Sequence, residues 1–271
     1  MGTSGSYSGS GGKIGDGIRD GIGDWIDSLP PGSNQPEGAP ASPDDASPTA
    51  PTTPKLDPNV LLPIVGLLRP RSRGGGGADG PGGGGGGGTT SGGRRGGGPT
   101  RTAAGSASTA GRAAAGAYAF RSGDTATLSR LGLDFAELTA LGDPFEITRR
   151  IVEAACGPQA ESTIEDHEQR LVAADVAEWV LTQDVDGQPP SPEEIVRHTI
   201  ALIIADTVLS ETGDVVNSSA RAELAESEIR DAAEALAGRE DFSADGVNET
   251  DFAAAIERGI ETLRGIVEAS D

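Results

Sequence analysis

Ser191-Pro-Glu-Glu-Ile-Val-Arg-His-Thr-Ile-Ala-Leu-Ile-Ile-Ala-Asp-Thr-Val-Leu209 decides the fold class. Its first four residues are a capping box on a proline at the first helical position, and both devices start helices. Ile195, Ile200, Ile203, Ile204 and Val208 then recur at helical rather than alternating spacing. The pattern predicts a helix running to Gly213.

The same grammar extends in both directions. Upstream, Ile164, Leu171, Val172, Val176, Trp179 and Val180 mark a helix that stops before Asp184 to Pro190. Before it, Asp143-Pro144 supplies an N-cap and an N1 proline to an apolar face of Phe145, Ile147, Ile151 and Val152, closed by Gly157-Pro158. Asp134 begins a helix through Leu141, and Asp124 caps one through Leu131. Thr102 to Phe120 reads as a small-residue helix in which Gly105, Gly111 and Gly116 permit close approach and Tyr118 and Phe120 add bulk. Downstream, Ser218 or Ser219 opens a helix with Leu224, Ile229 and Leu236, ended by Gly238. A last helix starts near Thr250 and uses Phe252, Ile256, Ile260, Leu263 and Ile266. No alternating pattern competes, so residues 101–271 are expected to form an all-α, multi-helix domain large enough for a real core.

The preceding hundred residues have a different character. In residues 1–29, Ile14, Ile18, Ile22, Trp25, Ile26 and Leu29 draw one helical stripe, but Gly15, Gly17, Gly21 and Gly23 weaken it. Such a marginal amphipathic segment folds only against a partner or its own domain, and its apolar residues Ile18, Ile22, Trp25 and Ile26 are expected to dock a partner. Residues 30–100 read as a Pro-rich, then Gly-rich linker with too little apolar surface to offset ordering entropy. Leu61 to Leu68 is an apolar island within it, expected to be a short strand or turn that pins the linker. The N-terminal hundred residues are therefore expected to be largely disordered.

The chain has 271 residues, a formal charge of -21 and only two lysines, Lys13 and Lys55. Almost all of that charge lies beyond residue 99. An acidic, Lys-poor, Ala-rich composition keeps a surface hydrated where salt screens charge, which predicts a halophilic, haloarchaeal-type source. From Arg69 to Arg112, by contrast, seven arginines face Asp79 alone. Arg94, Arg95 and Arg101 are the residues that a nucleic-acid-binding accessory would use on phosphates, the alternative reading of this chain. Concentrated salt and the lack of stacking aromatics weigh against it.

The lone Cys156 excludes an intrachain disulfide framework and reads as a small core residue. The apolar runs are too short to span a membrane, and no secretory leader is visible, so a cytoplasmic protein without membrane association is expected. His167 and His198 are the only histidines. Neither the acidic surroundings of His167 nor the incomplete calcium-loop patterns near Asp184 and Asp241 amount to a metal site. With no lysine-bearing phosphate loop, dinucleotide fingerprint or nucleophile elbow, the expectation is a protein without enzymatic activity or cofactor.

That leaves the N-terminus, Met1-Gly-Thr-Ser-Gly-Ser-Tyr-Ser-Gly-Ser-Gly-Gly12. Removal of Met1 exposes the amine of Gly2, and an α-amino group titrates near pH 7.7–8.0, far below lysine, leaving a nucleophilic fraction at neutral pH. This stretch, the Gly-rich middle, and Ala110-Gly-Arg-Ala-Ala-Ala-Gly-Ala-Tyr-Ala-Phe-Arg-Ser-Gly-Asp124 with Leu128 and Leu131-Gly-Leu-Asp134 resemble the QatB family, associated proteins of the four-component Qat anti-phage systems. The long Pro-rich insert and the poly-Gly tract depart from that pattern. The resemblance implies three partners: an ATPase, a QueC-like enzyme and a TatD-like nuclease. It further implies that Gly2 is the acceptor for a carboxylated deazaguanine activated by the QueC-like partner, with Thr3, Ser4, Ser6 and Tyr7 contacting that enzyme.

Overall fold

The computed structural model describes residues 12–29, 54–68, 103–157, 164–184 and 188–270. The fold is all-α, with ten α-helices and no strand among these residues. In chain order they are α1 (Gly12–Ser28), α2 (Leu62–Val65), α3 (Ala103–Ser122), α4 (Thr125–Arg130), α5 (Phe135–Leu141), α6 (Pro144–Cys156), α7 (Ile164–Thr182), α8 (Pro192–Ser218), α9 (Ala222–Ala237) and α10 (Glu249–Ser270). A 3-10 turn, Pro58–Leu61, leads into α2.

Helix α3 is the axis of the bundle, packed by α10, α7 and α6. Alanines at 107, 110, 113, 114, 115 and 117 are completely buried, so neighbours close on it from several sides. Small side chains make this possible, and Gly111 is the extreme case. A Cβ placed there would lie 2.7 Å from the Ala253 backbone nitrogen of α10. No side chain larger than hydrogen fits that crossing.

Helix α8 is the second axis and contacts α9, α1, α10 and α7. Its capping box is formed as the sequence predicts: Ser191 Oγ accepts from the Glu194 amide at 3.2 Å, and the Ser191 amide donates to Glu194 Oε2 at 2.8 Å. The helix runs past Gly213, the expected end, to Ser218. Burial of Thr212 and Val216 offsets the cost of a mid-helix glycine. The Asp124, Asp134 and Asp143 caps also form, each carboxylate accepting amide bonds from the first turn it precedes. Helix α9 begins later than expected, after Arg221, while Ser219 Oγ accepts from the Arg221 amide.

Three expectations are corrected. The 61–68 island is no strand: it ends a 3-10 turn, forms the single helical turn of α2 and closes in a turn at 66–68, with Leu61, Ile64, Val65 and Leu68, spaced by three and four, all buried. It and α1 belong to the same hydrophobic core as residues 103–270, so the core does not begin at residue 101. Phe145 and Leu171, read as core-facing, are 72% and 48% exposed. Phe145 sits about 200° around α6 from the buried Ile147, and Leu171 about 100° around α7 from the buried Val172.

Candidate functional site

The N-terminal region is anchored by α1. Ile18, Ile22 and Trp25 are buried against the protein's own body, with Ile26 partly buried beside them. These side chains are therefore core residues in this fold, where a partner-docking face was expected, whereas Ile14 at the start of the stripe is 41% exposed. Two glycines bring the helix close: ideal Cβ positions at Gly15 and Gly21 lie 3.2 Å from Glu211 Oε2 and 3.1 Å from Val60 Cγ1. The residues that weaken α1 as an isolated helix thus allow its docking.

Polar contacts set its register. Arg19 Nη2 donates to the Glu211 carbonyl at 2.9 Å and pairs with Asp214 Oδ1 at 3.2 Å, both on α8. Trp25 Nε1 donates to the Pro54 carbonyl at 3.0 Å, tying α1 to the segment that carries α2. That segment is held in turn by Arg239, whose Nη1 donates to Asn59 Oδ1 at 2.8 Å. Gly12, where the described chain begins, is exposed. Gly2, Thr3, Ser4, Ser6 and Tyr7 lie outside the described residues, as do Arg94, Arg95, Arg101 and the expected linker apart from residues 54–68.

The two histidines occupy different settings. His167 is exposed on α7. His198 stacks on Trp179 with ring centroids 4.1 Å apart and 19° between planes, and its Nδ1 meets the Glu234 carboxylate of α9. Beside this pair is an open pocket of about 270 Å³ bounded by Gln183, Pro190, Glu194 and Arg197. A carboxylate on one ring nitrogen orients the imidazole, here across three helices that sequence spacing did not connect. One turn away on α7, partial desolvation pushes the Asp175 carboxyl above its usual range, against the lowering influence of Arg230. Among the described residues, no group of three His, Cys, Asp or Glu side chains is arranged to hold a metal ion. Nor is any described helix long and apolar enough to cross a membrane.

A larger feature is a groove of about 690 Å³ between α6 and α7. Val152, Ala174 and Leu181 line it together with the exposed Phe145 and Leu171, while Arg149, Arg170 and Glu178 add charge. Arg149 is held by Glu146 at 2.7 Å and Glu153 at 2.6 Å on its own helix. Phe145 and Leu171 are as apolar as the buried Ile147 and Val172, and no local pattern marks them as the pair that no neighbouring helix covers. Compared with protein-family models, with curated proteins and with solved structures, the chain matches none of them.

Proposed function

We propose that this protein is a non-catalytic component of a prokaryotic anti-phage defence system, working in the cytoplasm as a scaffold and as the substrate of a QueC-like partner that conjugates a deazaguanine to Gly2. The single observation that supports this reading is the anchoring of α1. Its burial against α8 and the 54–68 segment ends at an exposed Gly12, only ten residues from Gly2. Ten residues span at most about 33–36 Å. A Gly2 amine on such a tether stays within one protein diameter of the body, so an enzyme that docks on the body meets the amine at high effective concentration.

The chemistry asked of the chain is modest. The neutral amine attacks the carboxyl carbon of a deazaguanine that the partner has activated with ATP, an amide forms and the activating group leaves. Glycine favours this because it carries no Cβ at the attacking centre. The partner supplies the catalysis; this chain supplies a reachable nucleophile. An ATPase and a TatD-like nuclease complete the proposed assembly.

Intact-mass spectrometry of the full chain co-expressed with the QueC-like enzyme tests the proposal. The expected result is a mass increase of one deazaguanine acyl group, mapped to the N-terminal peptide. An unmodified Gly2 beside a partner shown to be active on its nucleobase precursor overturns it.

A further inference from the structure

We propose that the seat of α1, made by α8 and the 54–68 segment, is a receptor for an amphipathic helix of a partner protein, and that α1 is a weak internal occupant which that helix displaces. The seat buries Ile18, Ile22 and Trp25, spaced by four and then three along one face of α1. Such spacing is how an apolar groove recognises a helix. Arg19, next to the first anchor, reaches the Glu211 carbonyl and Asp214 on α8 and fixes the register. The docked α1 thus defines the chemistry that fits: three apolar anchors, a guanidinium beside the first, and very small residues where Glu211 and Val60 crowd Gly15 and Gly21.

Helix α1 fills this seat less tightly than the geometry allows. Of its four interior glycines, Gly15 and Gly21 have close neighbours, but Gly17 and Gly23 do not. A Cβ at Gly17 would meet nothing within 4 Å, and one at Gly23 would stand 3.8 Å from Val215 Cγ1, an ordinary contact. Glycine at a helical position that no neighbour crowds weakens the helix without improving its fit. At the usual cost of a helical glycine, a helix with alanine at both positions binds the same seat roughly 5- to 30-fold more tightly.

The tether selects a partner protein over a second copy as the displacing occupant. Residues 30–53 join α1 to Pro54, whose carbonyl Trp25 already reaches, so α1 meets its own seat at an effective concentration on the order of 1 mM. The α1 of a second copy offers the same contacts without the tether and loses the competition at lower protein concentration. A partner helix lacking the two loosening glycines wins it at roughly 0.03–0.2 mM. This reading goes beyond modification of Gly2 and does not depend on it.

The test is fluorescence anisotropy of a dye-labelled synthetic peptide of residues 12–29, titrated with the full chain in molar KCl to screen its formal charge of -21. A peptide carrying Gly17→Ala and Gly23→Ala is expected to bind with an apparent Kd about 5- to 30-fold below that of the wild-type peptide, and adding Ile22→Asp should abolish binding. Gly17→Ala and Gly23→Ala placed in the chain itself strengthen the internal occupant and should weaken the alanine peptide by the same factor, with circular dichroism to establish that this variant is folded. Failure of the alanine peptide to bind at chain concentrations up to about 1 mM overturns the proposal. So does a peptide affinity unchanged by the substitutions in the chain, because the peptide then sits elsewhere. A wild-type peptide that binds as tightly as the alanine peptide also overturns it, and the seat would then exchange α1 between copies.

Discussion

Replacing Ile22 by Ala tests whether α1 is a separately detachable element of the body. Ile22 is fully buried, and truncation of such a side chain costs about 2–5 kcal/mol in lost transfer free energy and residual cavity. The cost should fall on local opening. Helix α1 carries four interior glycines and is held by a few apolar side chains and the Arg19 contacts to α8. It has little stability when undocked. Helix α3 packs chiefly on α10, α7 and α6, whereas α1 packs chiefly on α8 and the 58–65 segment, so α3 keeps its main contacts when α1 leaves. Hydrogen exchange read by mass spectrometry, in the regime where exchange reports opening equilibria, compares peptides from residues 12–28 and 103–122. A loss of 2 kcal/mol multiplies the open population by roughly 30. The α1 peptide should therefore exchange at least about that much faster while α3 is unchanged. Equal acceleration in both peptides would show that α1 opens only with the whole core. No acceleration in either would show that Ile22 contributes little to docking. Either outcome refutes the reasoning.

Two further perturbations separate packing from local conformation. Gly111→Ala puts a methyl group against the α10 backbone and should cost about 1–3 kcal/mol or more in denaturant titrations. Gly17→Ala meets nothing within 4 Å and should stabilise α1 by about 0.5–1 kcal/mol, read as slower exchange of residues 12–28. Asp124 gives a pH prediction. Its hydrogen bonds from the Thr127 hydroxyl, the Thr127 amide and the Ala126 amide hold its carboxyl below the usual value of 3.8. A depressed folded-state value stabilises the fold above the ordinary carboxylate range and loses that contribution as pH falls through the lowered value. Asp124→Ala should accordingly cost about 0.5–2 kcal/mol near neutral pH, and the difference from wild type should shrink in acid.

Legibility followed the range of the interaction concerned. The starts of α4, α5, α6 and α8 were readable because Asp124, Asp134, Asp143 and Ser191 bond amides two or three residues away. The contact between His198 and Glu234 joins residues 36 apart and left no local trace. Phe145 and Leu171 illustrate the intermediate case. Their apolar character was plain, but whether a neighbouring helix covers them depends on how α6 and α7 are seated. The candidate acceptor Gly2 was singled out by sequence, whereas the anchor that limits its reach emerged only with the packing of α1 on α8.

By itself, the sequence determined the helical class, most helix boundaries and the strong charge asymmetry, because caps, apolar periodicity and composition act through local bonds or simple counting. Tertiary structure alone decided that α1 and the 54–68 segment join the core, and that the α6–α7 groove stays open. Those outcomes depend on which surfaces meet. A glycine that destabilises an isolated helix by about 0.5–1 kcal/mol also lets that helix approach a neighbour, and only the packed arrangement shows which effect prevails.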